Sequence, residues 1–142
     1  MELAAEQVIF DQLDVLFGHL VNGEFDQFEA GCHEEFFMNV RGSAQLTTRL
    51  GRTEIAEWCR SMQDLADGSL RSSVCLIFVE EAVSVVILQN ELLRDGERFT
   101  YETEHRCLFR DGRLSACFSY PMISLDYAKA WGIRWASAPQ PA

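Results

Sequence analysis

The residue of this chain best placed to do chemistry is a histidine set among hydroxyls. In Tyr101-Glu102-Thr103-Glu104-His105-Arg106-Cys107-Leu108-Phe109-Arg110 every even position except Leu108 is charged, while the odd positions hold Tyr101, Thr103, His105, Cys107 and Phe109. Strand side chains alternate faces, so the run predicts a strand with one solvated side and one sheltered side that carries His105. A sheltered face mixing Tyr101, Thr103 and His105 with Phe109 suits the lining of a cavity better than a solid core. A neutral imidazole takes a proton near pH 7 and returns it to a neighbouring atom. Phenol or amide groups beside it donate hydrogen bonds to a developing enolate.

Two Asp-Gly pairs, Asp95-Gly96 and Asp111-Gly112, predict two-residue hairpin turns and so a pairing register. Around Asp95-Gly96, Leu92 faces Phe99 and Asn90 faces Tyr101, and Leu88 and Val86 continue opposite Thr103 and His105. Around Asp111-Gly112, Phe109 faces Leu114, Cys107 faces Ala116, His105 faces Phe118 and Thr103 faces Tyr120. In the absence of a bulge, Asn90, Tyr101, His105 and Tyr120 converge as candidate catalytic groups, and Leu88, Thr103, Cys107 and Phe118 line the same space. The competing reading makes His105 a hydrogen-bonded core residue packed on Phe118.

The elements that hold these strands follow from spacing. Leu3 to Val21 carries Val8, Leu13, Leu16, Phe17 and Leu20 at helical intervals, with Asn22-Gly23 as its end. Phe25 to Ala30 reads as a second short helix, Glu35 to Val40 as a strand, and Arg41 to Gly51 as a loop forming a lid or rim. Thr53 caps a third helix with Ile55, Trp58, Met62 and Leu65 along one side, stopped by Asp67-Gly68. Arg71 to Val79, Ala82 to Arg94, Arg98 to Arg110 and Arg113 to Tyr120 form an antiparallel meander. A single domain over 1–135 with a frayed tail at 136–142 is expected.

The chain has 142 residues, 48% of them hydrophobic, and a formal net charge of −10. That is enough for one domain with a sizeable core. The negative charge argues against nucleic acid, since affinity for phosphates rests on Lys and Arg. No apolar run approaches the ~20 residues of a membrane span, and the acidic start lacks the basic flank of a signal peptide, so a soluble cytoplasmic protein is expected. Cys32, Cys59, Cys75, Cys107 and Cys117 form no Cys-x-x-Cys pair and read as small thiols in a reducing compartment. His33-Glu34-Glu35 are adjacent residues that rarely point at one ion, so no metal is expected. His19 is expected to be exposed, and Arg41 and Arg49 to be solvated, the alternative being that they hold a carboxylate or carbonyl at the pocket mouth. Val83, Val85 and Ile87 make an apolar stripe opposite the sheltered face, beside Glu102, Glu104 and Arg106, which predicts a homodimer contact.

Three stretches resemble the SnoaL-like and ketosteroid isomerase-like enzymes of the nuclear transport factor 2 superfamily: Val21-Asn22-Gly23-Glu24-Phe25-Asp26 between the first helices, Leu50-Gly51-Arg52-Thr53-Glu54-Ile55 at the third, and Ser124-Leu125-Asp126-Tyr127-Ala128-Lys129-Ala130-Trp131-Gly132 near the end. The resemblance spans Leu3 to Gly132. It implies an α+β domain in which a curved, mainly antiparallel (mixed) sheet wraps around three N-terminal helices as a cone with an internal pocket. Simple steroid isomerase chemistry would require a Tyr donor late in helix one and an Asp base in the first strand, where this chain has Phe17 and Asn39 or Val40. A donor on the fourth strand would be Glu104 or His105, and the alternation turns His105 inward. Asp126 begins the last helix, as a charge at its N-terminus or as a catalytic base. The resemblance implies the latter, because the superfamily's polyketide cyclases use an Asp near this end of the sheet. Phe17, Asn39 and Trp58 join the expected substrate-binding set.

No Ser-His-Asp spacing, phosphate loop or dinucleotide fingerprint is present, so the expected chemistry needs no cofactor. The expected function is a cofactor-independent isomerase or cyclase acting on a hydrophobic, oxygenated small molecule such as a polyketide, terpenoid or steroid-like intermediate. The alternative is a non-catalytic ligand-binding or dimerisation module of the same fold.

Overall fold

The computed structural model describes residues 3–42 and 47–133. Helix α1 (Leu3–Val21) ends where expected, with Gly23 at a positive φ and the Glu24 amide returning to the His19 carbonyl at 2.8 Å. Helix α2 (Phe25–Gly31) leads directly into β1 (Cys32–Val40), three residues earlier than the apolar run suggested. The segment expected to be all loop contains a further strand, β2 (Thr48–Gly51). A single 3-10 turn, Arg52–Glu54, then precedes α3 (Ile55–Leu65). Thr53 does not cap it; the Glu54 carboxylate instead reaches back to accept from the Gly51 amide at 2.8 Å.

Strands β3 (Arg71–Phe78), β4 (Ser84–Arg94), β5 (Glu97–Arg110) and β6 (Arg113–Pro121) form the meander, and α4 (Leu125–Ala130) follows, capped by the Ser124 hydroxyl accepting from the Tyr127 amide. Both residues of each hairpin turn have positive φ, Asp95 and Gly96 in one and Asp111 and Gly112 in the other. That is the conformation whose twist matches the flanking strands, and it favours Gly at the second position. The six strands make one sheet in the order β2-β1-β6-β5-β4-β3, antiparallel except where β1 runs parallel to β6. This is the α+β cone architecture, a mixed sheet around the N-terminal helices. The expected tail, 136–142, lies outside the described residues.

The β4–β5 register is the one read from Asp95-Gly96: Leu92 opposite Phe99, Asn90 opposite Tyr101, Leu88 opposite Thr103, Val86 opposite His105. The β5–β6 register departs from expectation. Phe109 still pairs with Leu114, but Leu108 pairs with Ala116, so Ser115 is an extra residue on β6, its hydroxyl donating to the Leu108 carbonyl at 3.1 Å. Beyond this bulge every pair slips by one. His105 faces Ser119 instead of Phe118, Cys107 faces Cys117, and Tyr120 stands opposite Glu104 on the outer side. Cys75 plays the same part on β3, between Val74 opposite Leu88 and Leu76 opposite Ile87.

The core has two parts. Leu13, Leu16 and Phe17 of α1 join Phe28, Phe36, Met38, Val86 and Leu88 in the larger one. Leu92, Phe99, Tyr127, Ala130 and Trp131 make the smaller one under α4.

Candidate functional site

The inner faces of β4, β5 and β6 and the inner side of α3 enclose a cavity of about 810 Å³, within the range typical of small-molecule sites. Its exposed lining residues, among them Asn22, Arg41, Arg60 and Arg71, mark a mouth open to solvent. The walls change character along β5.

At one end lie His105 and Ser119. His105 is only 5% exposed, and its Nε2 is 3.2 Å from the Ser119 hydroxyl. Nδ1 is buried with no hydrogen-bond partner of good geometry, and the Phe17 ring lies edge-on to the imidazole at 5.3 Å between centroids. Burial pulls the His105 pKa down to about 4, an effect only partly offset by the nearby backbone of Val86 and Thr103. At neutral pH the ring is therefore neutral, a proton acceptor of low basicity with a single N–H.

In the middle, Asn90 is a knot between three strands. Its amide donates to the Tyr101 carbonyl at 3.3 Å and the Thr103 hydroxyl at 3.2 Å, and its carbonyl accepts from Ser72 at 2.7 Å. Both N–H donors are thus engaged within the wall. At the other end Tyr101 meets Tyr127 and Trp131 edge to face, at 5.0 and 6.4 Å. Burial raises the Tyr101 phenol well above the ordinary tyrosine range, which keeps it a donor.

Of the residues singled out from sequence, His105, Tyr101, Asn90, Trp58, Leu88 and Thr103 line this cavity. Tyr120 does not: the slipped register puts it on the outer face, where the Arg106 guanidinium lies 5.4 Å from its ring. Phe118 is turned outward by the same slip and packs against Phe37. Asn39 pairs with Phe118 on β1 and borders a shallow outer hollow with Arg49, whose guanidinium covers the Phe37 ring at 3.9 Å. Phe17 and Cys107 are wholly buried in the core beside His105 and do not border the cavity. Asp126 is exposed in the first turn of α4, while its neighbour Tyr127 lines the cavity.

Ser119, Ser72, Met38 and Trp131 line the cavity without having been singled out for it. Ser119 was hidden by the bulge, and Ser72 by the lack of a short turn between β3 and β4 to set their register. The core thiols remain protonated, Cys32 pushed up to about 12 by burial and Cys117 up by burial and its neighbour Cys107. His19 pairs with Glu24 at 3.1 Å, and the buried His33 accepts from the Glu35 amide on Nδ1, leaving Nε2 to donate to Asp111.

No protein-family model matches the chain, and no curated protein matches it in sequence. Solved structures match it closely in shape. Bal32a, from a soil-derived mobile gene cassette, superposes with a TM-score of 0.76 at 12% identity, covering 89% of this chain and 98% of the other. IdmH, a candidate polyketide cyclase from Streptomyces antibioticus, gives 0.66 at 12% identity over 87% and 97%. An LEH-like epoxide hydrolase from M. tuberculosis gives 0.65 at 18% identity over 89% and 91%. The chain thus has the nuclear transport factor 2-like fold shared by the SnoaL-like proteins.

Proposed function

We propose that the cavity takes a hydrophobic, oxygenated small molecule of polyketide, terpenoid or steroid-like type, and that the protein is a cofactor-independent isomerase or cyclase working by proton transfer at His105. The observation that carries this reading is a neutral imidazole hydrogen-bonded to Ser119 on the wall of an open cavity. An acceptor with a pKa of about 4 has too little driving force to deprotonate a simple ketone, so the reading narrows to activated carbon acids whose C–H lies between two carbonyls. Polyketone chains and cyclic 1,3-diketones are of that kind. That one neighbour is a candidate polyketide cyclase and another an epoxide hydrolase supports cofactor-free chemistry on this fold.

Ketonisation of the enol of 2-acetyl-1-tetralone, followed by its ultraviolet absorbance, tests the proposal. The protein should accelerate it, and His105→Ala should lose on the order of a hundredfold in rate while folding and binding persist. Glu104→Gln, on the outer face, should change little. Equal rates for His105→Ala and the parent would refute the assignment. The near-complete burial of His105 against Phe17 favours a second reading, a non-catalytic ligand-binding module, in which the parent gives no acceleration at all.

The outer face of the sheet fits a second copy of the chain. Leu76 and Phe78 are each 51% exposed, opposite Ile87 and Val85 on β4. Glu104 and Arg106, paired with each other at 3.3 Å, border them with the polar rim that an apolar contact commonly has. Homodimerisation through this face is part of the proposal.

A further inference from the structure

The aromatic end of the cavity holds two donors that do not satisfy each other. Trp131 is 7% exposed and its Nε1 is buried without a hydrogen-bond partner among the described residues. It lies close enough to the Tyr101 hydroxyl to favour its ionised form, yet outside bonding geometry. Leaving a buried indole N–H unpaired is costly, and native structures rarely do so without a reason. Both residues line the cavity.

We infer that the Trp131 indole N–H and the Tyr101 hydroxyl together form a two-donor clamp for one acceptor oxygen of the ligand, a carbonyl or carboxylate oxygen, at the end of the cavity away from His105. The inference rests on the cavity being a ligand site, as proposed above. Tyr101 and His105 are four residues apart on β5 and on the same face, roughly 13 Å along the strand. A molecule gripped by the clamp while its reacting carbon sits beside His105 is therefore elongated, with oxygens at both ends. This is the dimension of three or four fused rings carrying oxygens, or of an extended polyketone. The Tyr127 ring, 5.0 Å from that of Tyr101, walls the clamp with an apolar surface that strengthens each hydrogen bond by excluding water.

Two ligands of nearly the same shape isolate the clamp: 2-acetylnaphthalene, which offers a carbonyl oxygen, and 2-isopropenylnaphthalene, which replaces that oxygen by a methylene. Calorimetric titration of the full chain at neutral pH should give the ketone on the order of tenfold tighter than the olefin, as expected for two hydrogen bonds in an apolar site. Trp131→Phe and Tyr101→Phe keep the rings, and the double variant should bind both ligands equally. Among the indole resonances of Trp58, Trp131 and Trp135, the one missing in Trp131→Phe should move downfield with the ketone and not with the olefin. Equal affinity of the parent for the two ligands overturns the clamp alone, as does a ketone preference that survives the double variant. Failure of both ligands to bind overturns the clamp together with the reading of the cavity.

Discussion

Acid should destabilise the protein through His105, and a variant that cannot titrate should be spared. The imidazole has a pKa of about 4 when folded, against an ordinary value of 6.5. The sign follows from proton counting: between these two values the unfolded chain binds a proton that the native state refuses, so stability falls as pH drops from about 6.5 to about 4. At 1.36 kcal/mol per unit, the full loss is about 3 kcal/mol, of which about 2 kcal/mol should have accrued between pH 7 and pH 4.5. Urea unfolding of the parent and His105→Gln at both pH values isolates this contribution. Every other titratable side chain is common to the two proteins, so its contribution cancels in the difference. His105→Gln should be less stable than the parent at pH 7 and recover by about 2 kcal/mol relative to it at pH 4.5. Parallel pH dependences, or an imidazole resonance of His105 titrating near 6.5, would refute the reasoning.

If His105 is the proton acceptor, the acid limb of kcat/KM for 2-acetyl-1-tetralone should lie near pH 4, and a limb near 6.5 would mean a different group. Light scattering should give a dimer for the parent and a monomer for Val85→Glu, and a parent that stays monomeric at high micromolar concentration would remove the outer-face contact. Asn90→Leu should cost about 1–3 kcal/mol in urea unfolding, because it strands the Ser72 and Thr103 hydroxyls. A Cβ at Gly31 would sit 2.3 Å from Leu16 Cδ2, and since Leu16 is buried, Gly31→Ala should lose about 1–3 kcal/mol by overpacking.

What was legible in the sequence was what local chemistry determines. Asn22-Gly23 and Asp67-Gly68 stop their helices, and Asp95-Gly96 sets the whole β4–β5 register because a two-residue turn admits one pairing. From that register Asn90, Tyr101, Thr103 and His105 could be placed on one wall. Strand β2 was not legible, since Thr48–Gly51 has no alternation of its own and exists only by pairing with β1. Tyr120 and Phe118 were misplaced because Ser115 carries no mark of a bulge; its partner, the Leu108 carbonyl, is seven residues away. The burial of Trp131 depends on where α4 docks, which no local pattern encodes.

The extra residue at Ser115 makes the cavity's polarity a matter of arithmetic as much as composition. Were Ser115 paired with Leu108 in place of bulging out, the same amino acids would present Phe118 and Tyr120 inward and send Cys117 and Ser119 to the outer face, exchanging a hydroxyl pocket for an aromatic one without altering a single functional side chain. Whether this one residue bulges or pairs is therefore a discrete inversion of the wall, whereas point substitutions lining the cavity change it one position at a time. A designer wishing to retune this cavity would do well to begin with the bulge before the side chains that it orients.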